Sequence, residues 1–213
     1  QDGLRLKAKE GIMTVVGVDA RHYQRIARHS ILAVRAAGAT SFGTNKILYY
    51  LGGTDNWLIP KFSDGVSQPA GGNEFGFQTL AANLRGFDRN IRNGNSFALI
   101  NAELRVPIFR YLSKGLRSSF FKNFQIVGFA DVGTAWQGSS PFSKDNPVNV
   151  TTVTAPPIFS IDVKSFREPI VGGYGVGARV LLFGYFIRSD YAWGVENKIV
   201  QDPKFYLSLG YDF

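Results

Sequence analysis

The last ten residues, Lys204-Phe205-Tyr206-Leu207-Ser208-Leu209-Gly210-Tyr211-Asp212-Phe213, alternate strictly. Phe205, Leu207, Leu209, Tyr211 and Phe213 share one face of an extended chain, and Tyr206, Ser208, Gly210 and Asp212 share the other. An apolar stripe of period two that ends on an aromatic carboxylate suits the closing strand of an outer-membrane β-barrel, whose strands are apolar toward lipid and polar inside. A transmembrane helix is excluded, because no run of about 18 apolar residues exists. The absence of cysteine excludes a disulfide scaffold and a thiolate metal site.

Eight segments of about 9 to 14 residues read as spanning strands, near 3–13, 15–27, 30–41, 96–108, 124–136, 171–183, 185–195 and 204–213. In the fourth, Ala98, Ile100, Ala102, Leu104, Val106 and Ile108 alternate with Leu99, Asn101, Glu103 and Arg105. In the sixth, Tyr174, Val176, Ala178, Val180 and Leu182 oppose Gly173, Gly175, Gly177 and Arg179. Glycine weakens a strand, so a row of inward glycines implies something lodged close against the wall. The fold class expected is therefore all-β, an antiparallel transmembrane barrel, with eight strands present. Residues 42–95 and 137–170 are long connections, expected as a loop folded into the lumen and an external loop respectively. Connections longer than about 15 residues are usually functional.

The formal charge of +8 admits nucleic acid, acidic lipid or a basic pore as its reason. Placement favours the pore, since Arg5, Lys7, Lys9, Arg21, Arg25, Arg35, Arg105, Arg179 and Arg188 fall within alternating segments. No nucleic-acid partner is expected, because no aromatic-interleaved binding motif accompanies the charge.

Three motifs stand out beside the strands. Arg85-Gly86-Phe87 lies in the first long connection, Glu103 precedes Pro107 by four residues, and Phe129-Ala130-Asp131-Val132-Gly133 lies in the fifth segment. With Asp190-Tyr191-Ala192 and the terminal Phe213, they make the chain resemble the C-terminal half of the barrel of the outer-membrane insertase and two-partner-secretion translocator superfamily, the bacterial surface antigen family. The motifs of that family are Arg-Gly-aromatic, Glu-x-x-x-Pro and Phe-x-Asp-x-Gly, and the likeness covers almost the whole chain in the family's order.

The resemblance implies that residues 42–95 fold back into the barrel and that Arg85 pairs with carboxylates on the inner wall. The alternation separately points Glu103 and Asp131 inward on consecutive strands. Gly86 would then let the loop approach the wall and Phe87 would wedge it. Arg85, Gly86, Phe87, Glu103, Asp131 and Gly133 are the expected loop-docking and wall residues, and Tyr211 and Phe213 the terminal insertion signal. A purely structural reading, in which the cluster only pins a loop, accounts for the same residues.

Catalysis has little to stand on. His22 points outward in this phase, as a barrel lipase would need, but no positioned serine partner is identifiable, and His, Tyr and Arg near a strand end also serve as membrane-edge anchors. Asp19, Asp131 and Asp190 lie on separate strands without ligand spacing, so neither a metal nor another cofactor is expected. Barrels of the resembled family have sixteen strands, and eight strands enclose too little space to hold a loop. The chain is thus expected to be half of a barrel in the bacterial outer membrane. Its expected partners are outer-membrane lipid, a complementary N-terminal half or second copy, client or secreted proteins, and periplasmic accessory domains or lipoproteins. Two functions remain open: protein assembly, insertion or translocation through a lateral seam beside the last strand, or a scaffolding barrel in a larger surface complex.

Overall fold

The computed structural model describes residues 11–210 except 64–74, 82, 114, 116, 144–145, 147–148, 156–158, 165–166 and 183. In chain order the elements begin with β1 (Met13–Arg25), β2 (Ile31–Gly43), β3 (Lys46–Leu51), β4 (Phe75–Leu80), β5 (Arg92–Gly94) and β6 (Ser96–Val106). Two short helices follow, α1 (Ile108–Leu112) and α2 (Ser119–Asn123). Then come β7 (Gln125–Trp136), β8 (Val150–Ala155), β9 (Phe159–Lys164), β10 (Val171–Leu182), β11 (Tyr185–Glu196), β12 (Ile199–Val200) and β13 (Lys204–Gly210).

The wall is one antiparallel sheet of eight strands in the order β1-β2-β6-β7-β10-β11-β12, with β13 also paired to β11. Seven of its strands match segments expected to span. The eighth expected segment, 3–13, lies outside the described residues except for its last three, and Met13 already opens β1. β6 stops at Val106 rather than reaching residue 108, because Pro107 has no N–H to continue the ladder. The described sheet is open: β1 pairs only with β2 along its length.

Alternation divides the wall into an apolar and a mixed face. Val16, Val18, Ile100, Val132, Val176 and Phe205 are all exposed on the first. A monomeric soluble protein seldom carries so broad an apolar surface, whereas lipid requires one. The other face is covered by the described residues between 44 and 95, which contain a second sheet, β4-β3-β5, instead of irregular chain. The main core lies between the two layers, where Tyr49, Leu51, Leu84 and Phe87 from the loop meet Ala37, Phe97, Leu99, Ala135 and Val171 from the wall.

Of the expected basic residues, Arg21, Arg35, Arg105 and Arg179 do lie on the inner face, but paired with carboxylates and beside an apolar core. Arg21 and Arg35 share Asp19 at 3.0 and 2.7 Å, and the middle of the face is apolar or ion-paired. Connections alternate in character along the wall. The β1–β2, β6–β7 and β10–β11 connections lie at one end of the wall, and the β2–β6, β7–β10 and β11–β13 connections at the other. Within the second long connection β8 and β9 form a hairpin, and Asn197 and Lys198, both at positive φ, make the tight turn from β11 to β12.

Candidate functional site

The centre of the inner face holds three buried carboxylates on three strands: Glu103 of β6, Asp131 of β7 and Asp190 of β11. Unpaired, each would carry a large desolvation penalty. Arg85, reaching down from the loop, supplies the missing charge. Its Nε and Nη2 donate to Asp131 Oδ2 and Oδ1 at 2.7 and 2.8 Å, a two-pronged grip that lysine cannot make, while Nη1 donates to Glu103 Oε1 at 2.6 Å. The Arg85 backbone N–H also donates to Asp131, at 3.1 Å, and its guanidinium lies 3.6 Å from the Phe129 ring centroid.

Two further arginines complete the balance. Arg179 Nη1 donates to Asp190 at 2.6 Å, and Arg105 Nη2 lies 2.9 Å from Glu103 Oε2. Three guanidiniums therefore face three carboxylates in one buried network. Burial by itself would lower the pKa of Arg85, but Asp131, Glu103 and Asp190 more than reverse this and hold it above its ordinary value. The network acts as a clamp, since each of these charges has an opposite partner and the pairs tie the loop to the wall and one wall strand to another.

The loop backbone follows its arginine onto the wall. Gly86 has a φ of +99°, and a Cβ there would sit 2.5 Å from the Gly194 nitrogen. Across the contact, a Cβ on Gly173 would stand 1.8 Å from the Arg85 carbonyl oxygen, so only bare wall backbone lets the loop lie this close. Phe87 is buried in the core beside them. Gly133 makes room in the same way for Leu99, whose Cδ1 would be 2.6 Å from a Cβ at that position.

Sequence reasoning gave Arg85, Gly86, Phe87, Glu103, Asp131 and Gly133, and the structure brings all six to this contact or its rim. Tyr211 and Phe213 lie outside the described residues. Missed were Asn101, which donates to Asp131 at 2.7 Å, Arg179 and Asp190 as a pair, and Tyr206. The Tyr206 hydroxyl accepts from the Gly86 N–H at 2.9 Å and donates to the Phe87 carbonyl at 2.8 Å, tying β13 to the loop. Its inward phase was readable, but the identity of its partners was not. Tyr206→Phe should leave both backbone groups buried and unpaired, costing about 1–3 kcal/mol. Faster amide exchange at Gly86, whose N–H loses its acceptor, with the strands unchanged, is the expected reading.

Among models of known protein families, the Omp85 superfamily domain matches residues 16–213. The chain belongs to the Omp85 superfamily. No curated protein and no solved structure gives a significant match. Omp85 members act in the bacterial outer membrane, where they insert or translocate proteins.

In this Omp85 chain the last described strand has a second, weaker neighbour. The alternate backbone groups of β13 that point away from β11 are met at one place by the loop: Leu58 N–H donates to the Leu207 carbonyl at 2.9 Å, and Leu209 N–H to the Asn56 carbonyl at 3.4 Å. Trp57 bridges to Ser208 there, and its ring lies 4.8 Å from that of Tyr206. Among the described residues this short cap is the only chain against that edge. His22, the residue a barrel lipase would use, is on the outward face across from Val34, and Ser30, four residues along from Val34, has its hydroxyl engaged with Tyr111 at 2.8 Å. The described residues include no group of three or more His, Cys, Asp or Glu placed to hold a metal.

Proposed function

We propose that the chain forms the C-terminal part of an outer-membrane barrel that assembles, inserts or translocates other proteins, acting through non-covalent strand exchange and not through catalysis. The supporting observation is the contrast between the two contacts of the loop. Arg85 fixes it deep on the wall by a buried charge network, whereas residues 56–58 cover the β13 edge through two backbone hydrogen bonds. An edge strand is a ready template for another strand, and a cover this light can be displaced without dismantling the clamp.

In this reading the loop clamp and wall residues are Arg85, Gly86, Phe87, Glu103, Asp131 and Gly133, with Tyr211 and Phe213 serving the chain's own insertion. The open edges of the sheet call for a complementary half-barrel or second copy, because unpaired strand edges are costly in lipid. Client or secreted proteins and periplasmic accessory domains or lipoproteins are the remaining partners.

Depleting the protein from its native cell and quantifying the outer-membrane and secreted proteomes tests this. An insertase lowers many outer-membrane barrels, and a translocator strands particular exported proteins in the periplasm. A second reading, a scaffolding barrel within a surface complex, is favoured by the same cap, since the chain occupies its own edge. Under that reading depletion leaves both proteomes unchanged.

The cap makes its own prediction. Leu58→Pro removes the N–H that donates to Leu207 at a half-exposed position, so little packing is lost with it. Amide exchange at Leu209 should accelerate at least tenfold while that of β10 and β11 stays unchanged.

A further inference from the structure

The end of the wall closed by residues 26–30 and 107–124 is electrically one-sided. Residues 20–30 and 104–130 contain no Asp or Glu. Arg25, Arg28, His29, Arg110, Arg117 and Lys122 all belong to these stretches, whereas the connections at the opposite end mix both signs.

The two connections are also joined. The His29 backbone N–H donates to the Tyr111 hydroxyl at 3.2 Å, their rings meet edge-on at 5.4 Å, and Ser30 holds the same hydroxyl. Between them lies a cleft of about 380 Å³ lined by Tyr23, Arg25, Arg28, His29, Ile31 and Arg110. Arg25 donates to the carbonyls of Ala27 and Arg28, and Arg110 to that of Lys122 at 2.8 Å. Their other guanidinium N–H groups meet no acceptor among the described residues, and none of these cations has a carboxylate partner there. The pKa of His29 lies below its ordinary value, through desolvation first and then the charges of Arg28, Arg110 and Arg25.

Beside the cleft stands an apolar shelf. α1 and α2 bury no residue; Leu112 is 77% exposed and Tyr111, Phe120 and Phe121 are also exposed. Phe109 and Phe121 pack at 4.8 Å and Phe120 and Phe121 at 5.2 Å, so the aromatics form one exposed cluster, and α2 lies beside β10 at the end of the wall. Aromatic groups next to cations at the end of a spanning strand are the chemistry of a membrane interface. The shorter connections of outer-membrane barrels face the periplasm.

We propose that this cleft binds the phosphate headgroup of an anionic phospholipid of the periplasmic leaflet, with Arg25, Arg28 and Arg110 on the phosphate and the α1–α2 aromatics against the acyl chains. Charge complementarity and the exposed aromatic cluster beside the cleft both select a lipid over a free anion.

The test is native mass spectrometry of the intact protein in mild detergent, titrated with phosphatidylglycerol or phosphatidylcholine. Phosphatidylglycerol should be retained preferentially, and millimolar glycerol phosphate should not displace it. Arg28→Gln with Arg110→Gln should weaken its retention roughly thirtyfold, each charge near the surface being worth about fivefold. Lys61→Gln with Lys198→Gln, an equal charge loss at the other end, should leave it unchanged. If the arginine variant does not fold, the unaltered protein serves: phosphatidylglycerol retention must fall with added salt. Equal retention of the two lipids, equal loss in both variants, displacement by glycerol phosphate, indifference to salt, or loss of a co-purifying acidic protein with lipid retention intact would each overturn the proposal.

Discussion

Arg85→Ala is expected to be among the most damaging single substitutions in the chain, and the damage should run through Asp131. Glu103 keeps Arg105 and Arg179 when Arg85 is lost, and Asp190 keeps Arg179. Asp131 is fully buried and keeps only two neutral donors, the Asn101 amide and the backbone N–H of residue 85. Removing one partner of a buried ion pair costs about 3–5 kcal/mol, because the remaining charge is left in a low-dielectric site. The loop should lift, residues 42–95 should become sensitive to protease, and the thermal unfolding midpoint in detergent should fall. Adding Asp131→Asn to Arg85→Ala should recover part of the loss by removing the orphaned charge, which a model of simple lost contacts does not predict. Arg85→Lys should be intermediate, since it keeps the charge but not the fork.

Gly173→Ala should reproduce that phenotype without touching any charge. Its Cβ would stand 1.8 Å from the Arg85 carbonyl oxygen and 2.9 Å from the carbonyl carbon, and backbone atoms cannot move aside unless the loop does. The neighbouring residue provides the control, because a Cβ on Gly172 meets nothing nearer than the Asp131 carbonyl at 3.5 Å. Gly172→Ala should be neutral or slightly stabilising, as alanine loses less entropy than glycine in a strand. Protease sensitivity of residues 42–95 should separate the two variants. Combined with Arg85→Ala, Gly173→Ala should add less than its separate effect, since both break one contact.

Why the wall was readable and the loop was not follows from what each is packed against. Lipid imposes the same requirement on every outward residue, so Ile100, Val132, Val176 and Phe205 announce their strands by period alone. The phase that turns them outward also turns Glu103 and Asp131 inward. β5, with the sequence Arg92-Asn93-Gly94, has no periodicity to detect and is a strand only because β3 lies beside it. α1 and α2 have five residues each, too few for a helical repeat to show. Partners across long separations were equally hidden. The inward phase marks Arg179, Asp190 and Tyr206 as available, yet only the fold reveals that Tyr206 meets Gly86, 120 residues away.

The same distinction applies to the seam. The alternation of residues 204–213 locates a lipid-facing last strand, but that residues 56–58 cover its edge depends on how far the clamped loop reaches. Of the row of inward glycines at 173, 175 and 177, Gly173 lies where the Arg85 backbone touches the wall, whereas Gly175 and Gly177 make room for wall groups, the Phe129 ring and the Asp190 carboxylate; Gly194, against Gly86 and Phe87, lies outside that row.

The most direct test of the proposed function is site-specific photocrosslinking from position 207 of the intact protein in living cells, during synthesis of outer-membrane or secreted proteins. Leu207 is partly exposed on β13, and its carbonyl accepts the hydrogen bond from the cap. Strand exchange at this edge predicts adducts with newly made client proteins, increased by Leu58→Pro and absent from a probe at position 176 in the middle of the wall. Adducts confined to lipid and to the chain's own residues 56–58, unchanged by Leu58→Pro, would contradict it.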